Sequence, residues 1–295
     1  MSSLQSGGKE MKRTKQNKKP DAILCGDFHL REDQPTCRTD DFQQAQWKKV
    51  SFVHHLQRQY DCPVIHSGDL FNHWKPSPFL LSQTIIHLPN NFQTIYGNHD
   101  LPQHNLDLAI KCGIYTLAEA GKLTILPYYH WGETPIRLSE ARVKIGVWHV
   151  MTHVGKVPFE STPAERLLKK YDWFDLLLTG HNHQSFVVEH EGRLLVNPGS
   201  LTRQTADQID HRPCVYLWYA DTNTVEPVYL EIDKDVITRE HIERAEKRDE
   251  RIEAFVERLD TEFEAGVSFE ENLEEFERKN KVRKSVMDIV YKAIE

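Results

Sequence analysis

An α/β fold is expected from three features of the sequence. Short apolar runs alternate with helical segments from Asp21 to about Ile232, the pattern of a sheet covered by helices. Four of the apolar runs end directly in a short motif of Gly, Asp, Asn and His, which suits strands that deliver polar side chains to one sheet edge. The chain has 295 residues and is 39% apolar, enough for one large domain with an appendage or for two small ones.

Taken in order, residues 1–20 combine a Ser/Gly-rich start with the basic run Lys12-Arg13-Thr14-Lys15-Gln16-Asn17-Lys18-Lys19 and show no apolar periodicity. A disordered tail is expected there, and Met11 is a possible alternative start. The body of the chain, 21–235, carries strands over 22–25, 64–67, 92–96, 122–126, 143–148 and 176–179. Helices are expected over 41–60, 78–88, 105–111 and 163–171. Segments 185–189, 193–196, 214–219 and 225–231, with turns at Glu191-Gly192 and 220–223, read as antiparallel strands completing a second sheet.

Residues 236–295 read as a helical hairpin. Ile252, Phe255, Val256, Leu259 and Phe263 fall on one helical face, and Val286, Ile289, Val290 and Ile294 on another. Gly266 can end the first helix, and Ser268 with Glu271 forms a capping box that opens the second. Such a hairpin either packs on the core or docks on the helices of a partner.

A formal charge of −7 argues against binding nucleic acid by bulk electrostatics. It does not exclude a nuclease, because two divalent ions would add about four positive charges where a phosphate must sit. Five cysteines without a C-x-x-C pair fit a reducing cytoplasm better than a disulfide framework, and Cys25 reads as a small buried hydrophobe. No apolar run approaches the roughly 18 residues of a membrane span, and none forms the core of a signal peptide at the amino terminus.

The polar motifs are Gly26-Asp27-Phe28-His29, Gly68-Asp69-Leu70-Phe71, Gly97-Asn98-His99-Asp100, a lone His149 and Gly180-His181-Asn182-His183. Carboxylate, amide and imidazole groups without thiolates suit divalent Mn²⁺, Mg²⁺, Fe²⁺ or Zn²⁺. Two such ions roughly 3.5–4 Å apart can clamp both oxygens of an in-line phosphoryl displacement. Asp27 and His29, two apart at a strand end, would share a face. Asp69 offers two oxygens and could bridge two ions, while His181 and His183 could face different ones. The other eleven histidines fit surface or core positions, His73 least clearly.

In this ordered set the chain resembles the calcineurin-like metallophosphoesterase superfamily, over about residues 21–203. The resemblance implies a two-sheet β sandwich flanked by helices. It further implies one ion held by Asp27, His29, Asp69 and His183, a second held by Asp69, Asn98, His149 and His181, and Asp69 as the bridge. His153 competes with His149. His99 resembles the family's catalytic histidine, with Asp100 orienting its ring.

Residues 68–77, Gly-Asp-Leu-Phe-Asn-His-Trp-Lys-Pro-Ser, look like the matching segment of the double-strand-break repair nucleases whose bacterial member is SbcD. That likeness implies a Mn²⁺-dependent DNA exonuclease or endonuclease of a bacterial or phage repair system, a helical docking site for an SbcC-like coiled-coil ATPase, and a possible homodimer. Trp74 and Lys75 are candidate base and phosphate contacts; Arg31, Arg38 and Arg203 are further candidates, although Trp74 could simply pack under its own loop. The chain departs from the pattern in Arg31, in the long loop 32–41, and in having only roughly 60 residues after Ile232 where these nucleases carry a larger DNA-engaging cap. Protein phosphatases are disfavoured, as no Asp-Arg-Gly run follows the bridging Asp. A small-molecule or cyclic-nucleotide phosphodiesterase and a non-catalytic adaptor with a structural metal site are the alternatives.

Overall fold

The computed structural model describes residues 18–127, 129–137, 143–157, 161–262, 269–280 and 282–294. Most of the basic tail expected over 1–20 thus lies outside the described residues. The chain divides into two compact units, one through Ile237 and one from Thr238.

In the first unit, β1 (Ala22–Cys25), β2 (Val64–His66), β3 (Phe92–Thr94) and β4 (Thr124–Ile125) lie parallel in one sheet. Among the described residues a second sheet contains β5 (Val143–Trp148), β8 (Phe174–Thr179), β9 (Phe186–His190) and β10 (Arg193–Asn197), in the order β5-β8-β10-β9. A small pair, β6 (Thr152–His153) and β7 (Thr162–Pro163), stands apart. The last two strands, β11 (Cys214–Tyr219) and β12 (Thr224–Tyr229), extend the first sheet to β12-β11-β1-β2-β3-β4.

That placement corrects the expectation that all four late strands complete the second sheet: only β9 and β10 do. The reason is legible in β11, which is apolar on both faces. Cys214, Tyr216 and Trp218 point into the layer between the sheets, and Val215 and Leu217 into the opposite core. Such a strand belongs beside β1, where both faces are covered.

Alternation builds the layers. Ala22 and Leu24 of β1 meet Leu176, Leu178, Leu194 and Val196 of the second sheet, while Ile23 and Cys25 face the helical layer. That layer contains α1 (Phe42–Tyr60), α2 (Pro78–His87) and α3 (Gly113–Glu119), and α4 (Ala164–Lys170) covers the other sheet through Leu167 and Leu168. The helix expected over 105–111 is a 3₁₀ segment, Leu106–Lys111, and α3 behind it was missed because Gly113 opens it.

The second unit departs from the expected hairpin. It contains three helices, α5 (Glu240–Glu262), α6 (Phe269–Asn280) and α7 (Lys284–Ile294). Gly266 and Ser268 lie outside the described residues. In place of the stripe through Val286 and Ile289, α7 buries Met287 against Leu273 and Phe276, with Val290 and Tyr291 beside it. Val286 and Ile289 stay 41% and 62% exposed. The break before Lys284 starts a new helix whose rotation is set by Leu273 and Phe276. No helix among the described residues is long and apolar enough to cross a membrane.

Candidate metal centre

The loops that follow β1, β2, β3, β5, β8 and β10 meet at one end of the sandwich, and their backbones are bonded to one another. Asp27 N–H donates to the Gly68 carbonyl (3.1 Å), His29 N–H to Asp69 (3.0 Å) and Leu30 N–H to Leu70 (2.9 Å). Leu201 N–H donates to Asp27 and Ser200 N–H to His183, so the 198–203 loop ties two motifs together. Asn197 donates to the Asn182 carbonyl (2.5 Å) and the Gln184 carbonyl (2.7 Å), holding the histidine loop from below.

Extended strand ends do not bring Asp27 and His29 together, as their two-residue spacing suggested. Asp27, His29, Asp69 and His181 have φ of +50°, +46°, +57° and +75°, a left-handed region that costs an L-residue about 1 kcal/mol or more. Strain of this kind persists where the surroundings over-determine it. Here the loop-to-loop bonds do so.

Three groups of ligand atoms result, each within 4.8 Å: Asp27, His29 and His183; His29, Asp69 and His99; Asp69, His149 and His181. His29 Nε2 and His183 Nε2 face each other at 3.0 Å. Asn98 Oδ1 lies 2.8 Å from His181 Nδ1 and 3.1 Å from His149 Nε2. Between the halves stands Asp69 Oδ2, 3.6 Å from His29 Nε2 and 3.3 Å from His149 Nε2, yet hydrogen-bonded to neither. Its other oxygen accepts the His99 N–H at 2.8 Å.

This set fits divalent cations. Asp27 Oδ2 and Asp69 Oδ2 are buried carboxylate oxygens without a hydrogen bond, a costly condition unless a cation faces them. Burial pushes Asp27 up to about 8. Burial also works to raise Asp69, but the field of His149 wins and holds it below the usual carboxylate range. His149 shows the converse: burial opposes its charge, and Asp69 lifts it to about 9. A proton on His149 thus neutralises what a cation would. Burial lowers His181 to about 4 and keeps His29 and His183 neutral, the form in which imidazole ligates.

Close approach explains two glycines. A methyl on Gly97 would lie 2.1 Å from Asp69 Oδ1, and Gly68, at φ +98°, lies where a methyl would come within 2.7 Å of His149 Nδ1.

Several expectations change here. Asp100 does not orient His99: its carboxylate accepts the N–H groups of Asp69 (2.7 Å), Leu70 (3.3 Å), Phe71 (3.1 Å) and Gly97 (3.0 Å), clamping two motif loops. The His99 ring is instead held by the Asn72 carbonyl at Nδ1, 2.9 Å. Arg38 is buried, paired with Asp40 and bonded to the Arg203 carbonyl. Arg203 is also buried, donating to the Ile209 carbonyl (3.0 Å) and the Asp233 carbonyl (2.7 Å). Neither guanidinium is free for a phosphate. His153, the competitor of His149, is turned to Ser161 and joins none of the three groups.

Among the remaining candidates, Arg31 is partly buried against Asp33 and Gln204. Trp74 packs partly into the core and Lys75 is exposed. Sequence reasoning missed Gln204, whose amide donates to the carbonyls of Phe28 (3.4 Å) and His29 (3.1 Å), and Trp131, which stands 4.9 Å from the His181 ring. Neither lies in a motif, so no signal in the sequence singled them out.

A two-sheet sandwich whose strand-end loops gather carboxylates, an amide and imidazoles around one aspartate defines a metallophosphoesterase class. The pattern of the calcineurin-like phosphoesterase superfamily domain matches residues 21–216, and the chain belongs to that superfamily. No curated protein matches the chain. Similar solved structures include an archaeal phosphodiesterase, 16% identical, covering 71% of this chain and 99% of its own, TM-score 0.43. Wild-type Vps29 from Entamoeba histolytica complexed with zinc is 15% identical, with coverage of 71% and 97% and a TM-score of 0.37. A metallophosphoesterase from Sphaerobacter thermophilus is 13% identical, with coverage of 72% and 89% and a TM-score of 0.36.

Proposed function

We propose that the chain is a two-metal phosphodiesterase that hydrolyses DNA, an SbcD-like nuclease of repair or recombination. The observation that carries the reading is Asp69 Oδ2, buried, unbonded and shared by the imidazoles of two ligand groups. Asp27, His29, Asp69 and His183 hold one ion in this reading and Asp69, Asn98, His149 and His181 the other, with Mn²⁺ the first choice and Mg²⁺, Fe²⁺ or Zn²⁺ the alternatives. Such ions, when bound, polarise the phosphoryl group and lower the pKa of water.

The side chains supply the rest. His149 donates from Nδ1 to the Ser67 carbonyl at 2.7 Å, which aims its Nε2 lone pair at the centre. His99 is fixed in the same way through Nδ1 by Asn72, so Nε2 is the nitrogen that exchanges a proton with the leaving oxygen. Asp100, acting through the backbone, is a positioning residue. The SbcD-like segment 68–77 supports DNA as substrate, with exposed Lys75 as a phosphate contact and Arg31 able to exchange Asp33 for a phosphate oxygen. In the second unit, exposed Val286 and Ile289 are the surface we assign to a coiled-coil ATPase of the SbcC kind.

The test is cleavage of end-labelled single- and double-stranded DNA with Mn²⁺ or chelator, beside a small chromogenic diester. Metal-dependent DNA cleavage is expected, falling by about 10²–10⁴ in His99→Ala with Mn²⁺ still bound. Diester turnover with intact DNA would point to a small-substrate phosphodiesterase; no turnover of either would leave a structural metal site.

A further inference from the structure

The two sides of the centre differ chemically. On the Asp27, His29 and His183 side, the ring contacts of His29 are with other imidazoles, His99 and His183, at 4.7 and 4.8 Å. An indole stands on the other side. Trp131 lies 4.9 Å from the His181 ring at a tilt of 40° and 6.0 Å from the His149 ring, and it is half-buried, so part of its surface remains open.

Its position is built by a set of bonds in a connecting loop. Trp131 N–H donates to the Tyr96 carbonyl at 2.9 Å, and Tyr96 N–H donates to His130 Nδ1 at 3.1 Å. The loop is thereby joined to the chain just before Gly97 and Asn98. Glu133 accepts the His130 N–H at 2.8 Å on its side chain, and the Trp148 indole N–H at 3.0 Å on its carbonyl. Trp148 immediately precedes His149. Together these bonds fix an aromatic plane against two imidazoles of the centre.

We infer that Trp131 is a specificity-determining residue, the platform on which a planar group attached to the bound phosphate, a nucleobase, stacks. This rests on the phosphodiesterase reading and names the substrate class that site selects. Every base has a π face, so an indole platform favours nucleotides over sugar phosphates and aliphatic esters without reading sequence. Trp74, like Trp131, is half-buried and packs partly on the core, but its ring contact is with His73, which belongs to none of the three ligand groups.

The experiment is calorimetric titration of the full chain, in Mn²⁺, with thymidine 5′-phosphate and with deoxyribose 5-phosphate. Wild type, Trp131→Leu, Trp131→Phe and Trp74→Leu are compared, and Mn²⁺ affinity is measured for each. The wild type should prefer the nucleotide by about tenfold or more. Trp131→Leu should abolish that preference with Mn²⁺ affinity unchanged, Trp131→Phe should restore part of it, and Trp74→Leu should retain it. Equal affinity of the wild type for both phosphates, or a preference that survives Trp131→Leu, would overturn the inference. So would a parallel loss of Mn²⁺ affinity in Trp131→Leu, which would make the indole a cover for its imidazoles. Because binding is read, a protein that shows this preference yet cleaves no diester would refute the proposed function and not the platform.

Discussion

At the residue scale, the centre is held in a costly state by its neighbours. Asp27 is buried, its Oδ2 is unbonded, and its φ is positive. Asp27→Asn keeps an oxygen for the His181 N–H, now at 3.0 Å, while removing the carboxylate. Without metal, the Asp27→Asn variant should therefore melt a few degrees higher than the wild type, on the order of 1 kcal/mol, while binding Mn²⁺ less tightly by more than the roughly 10- to 100-fold that loss of a partner behind a ligand costs. Thermal melts with and without Mn²⁺ check both. The types and order of the groups were legible in the sequence, because Gly-Asp and Asn-His motifs after apolar runs leave few other chemistries. Their geometry was not, since left-handed turns at Asp27 and His29 leave no pattern of spacing. The role of Asp100 was also hidden: its partners are backbone N–H groups, which no side-chain motif records.

At the element scale, β2 carries a histidine that must stay neutral. His66 is fully buried, bonded through Nδ1 to the Thr94 hydroxyl at 2.9 Å and packed edge-on against Phe28. Burial lowers its pKa to about 3 from the ordinary 6.5. Below pH 6.5 the unfolded chain binds a proton that the fold refuses, so stability is full above 6.5 and lost as pH falls toward 3. Between pH 6.5 and 5 this single group should remove about 2 kcal/mol. Urea unfolding at the two pH values should show a smaller drop in His66→Asn; an unchanged drop would exclude His66 as its source. Strand positions were readable for β1, β5 and β11, where apolar runs are uninterrupted. Sheet membership was not, because β11, with β12 hairpinned to its outer edge, pairs with β1 at the far end of the unit in sequence.

At the scale of the whole molecule, the carboxyl end of the first unit is set by buried cations. Lys49 donates to the Glu231 carbonyl (2.9 Å) and Arg203 to the Asp233 carbonyl (2.7 Å), while Thr39 N–H donates to the Val236 carbonyl (3.1 Å). Residues 231–237 are thus part of the unit that carries the metal centre; Arg203, a phosphate-contact candidate in the sequence, holds this strap directly, and Arg38 bonds the Arg203 carbonyl while its backbone is bridged to Ile237. A chain ending at Ile237 should unfold cooperatively and retain Mn²⁺ binding. One ending at Leu230 should lose several kcal/mol, because it removes the acceptor of the buried Lys49 and one of the two carbonyls that accept from Arg203; equal stability of the two in urea would refute the strap.

The central claim is that Asp69 joins two metal ions in one centre. Electron paramagnetic resonance during Mn²⁺ titration tests it most directly. Two ions per chain with a spin-coupled signal, lost in Asp69→Asn, is the expected result; a single ion, or two uncoupled ones, would contradict the account.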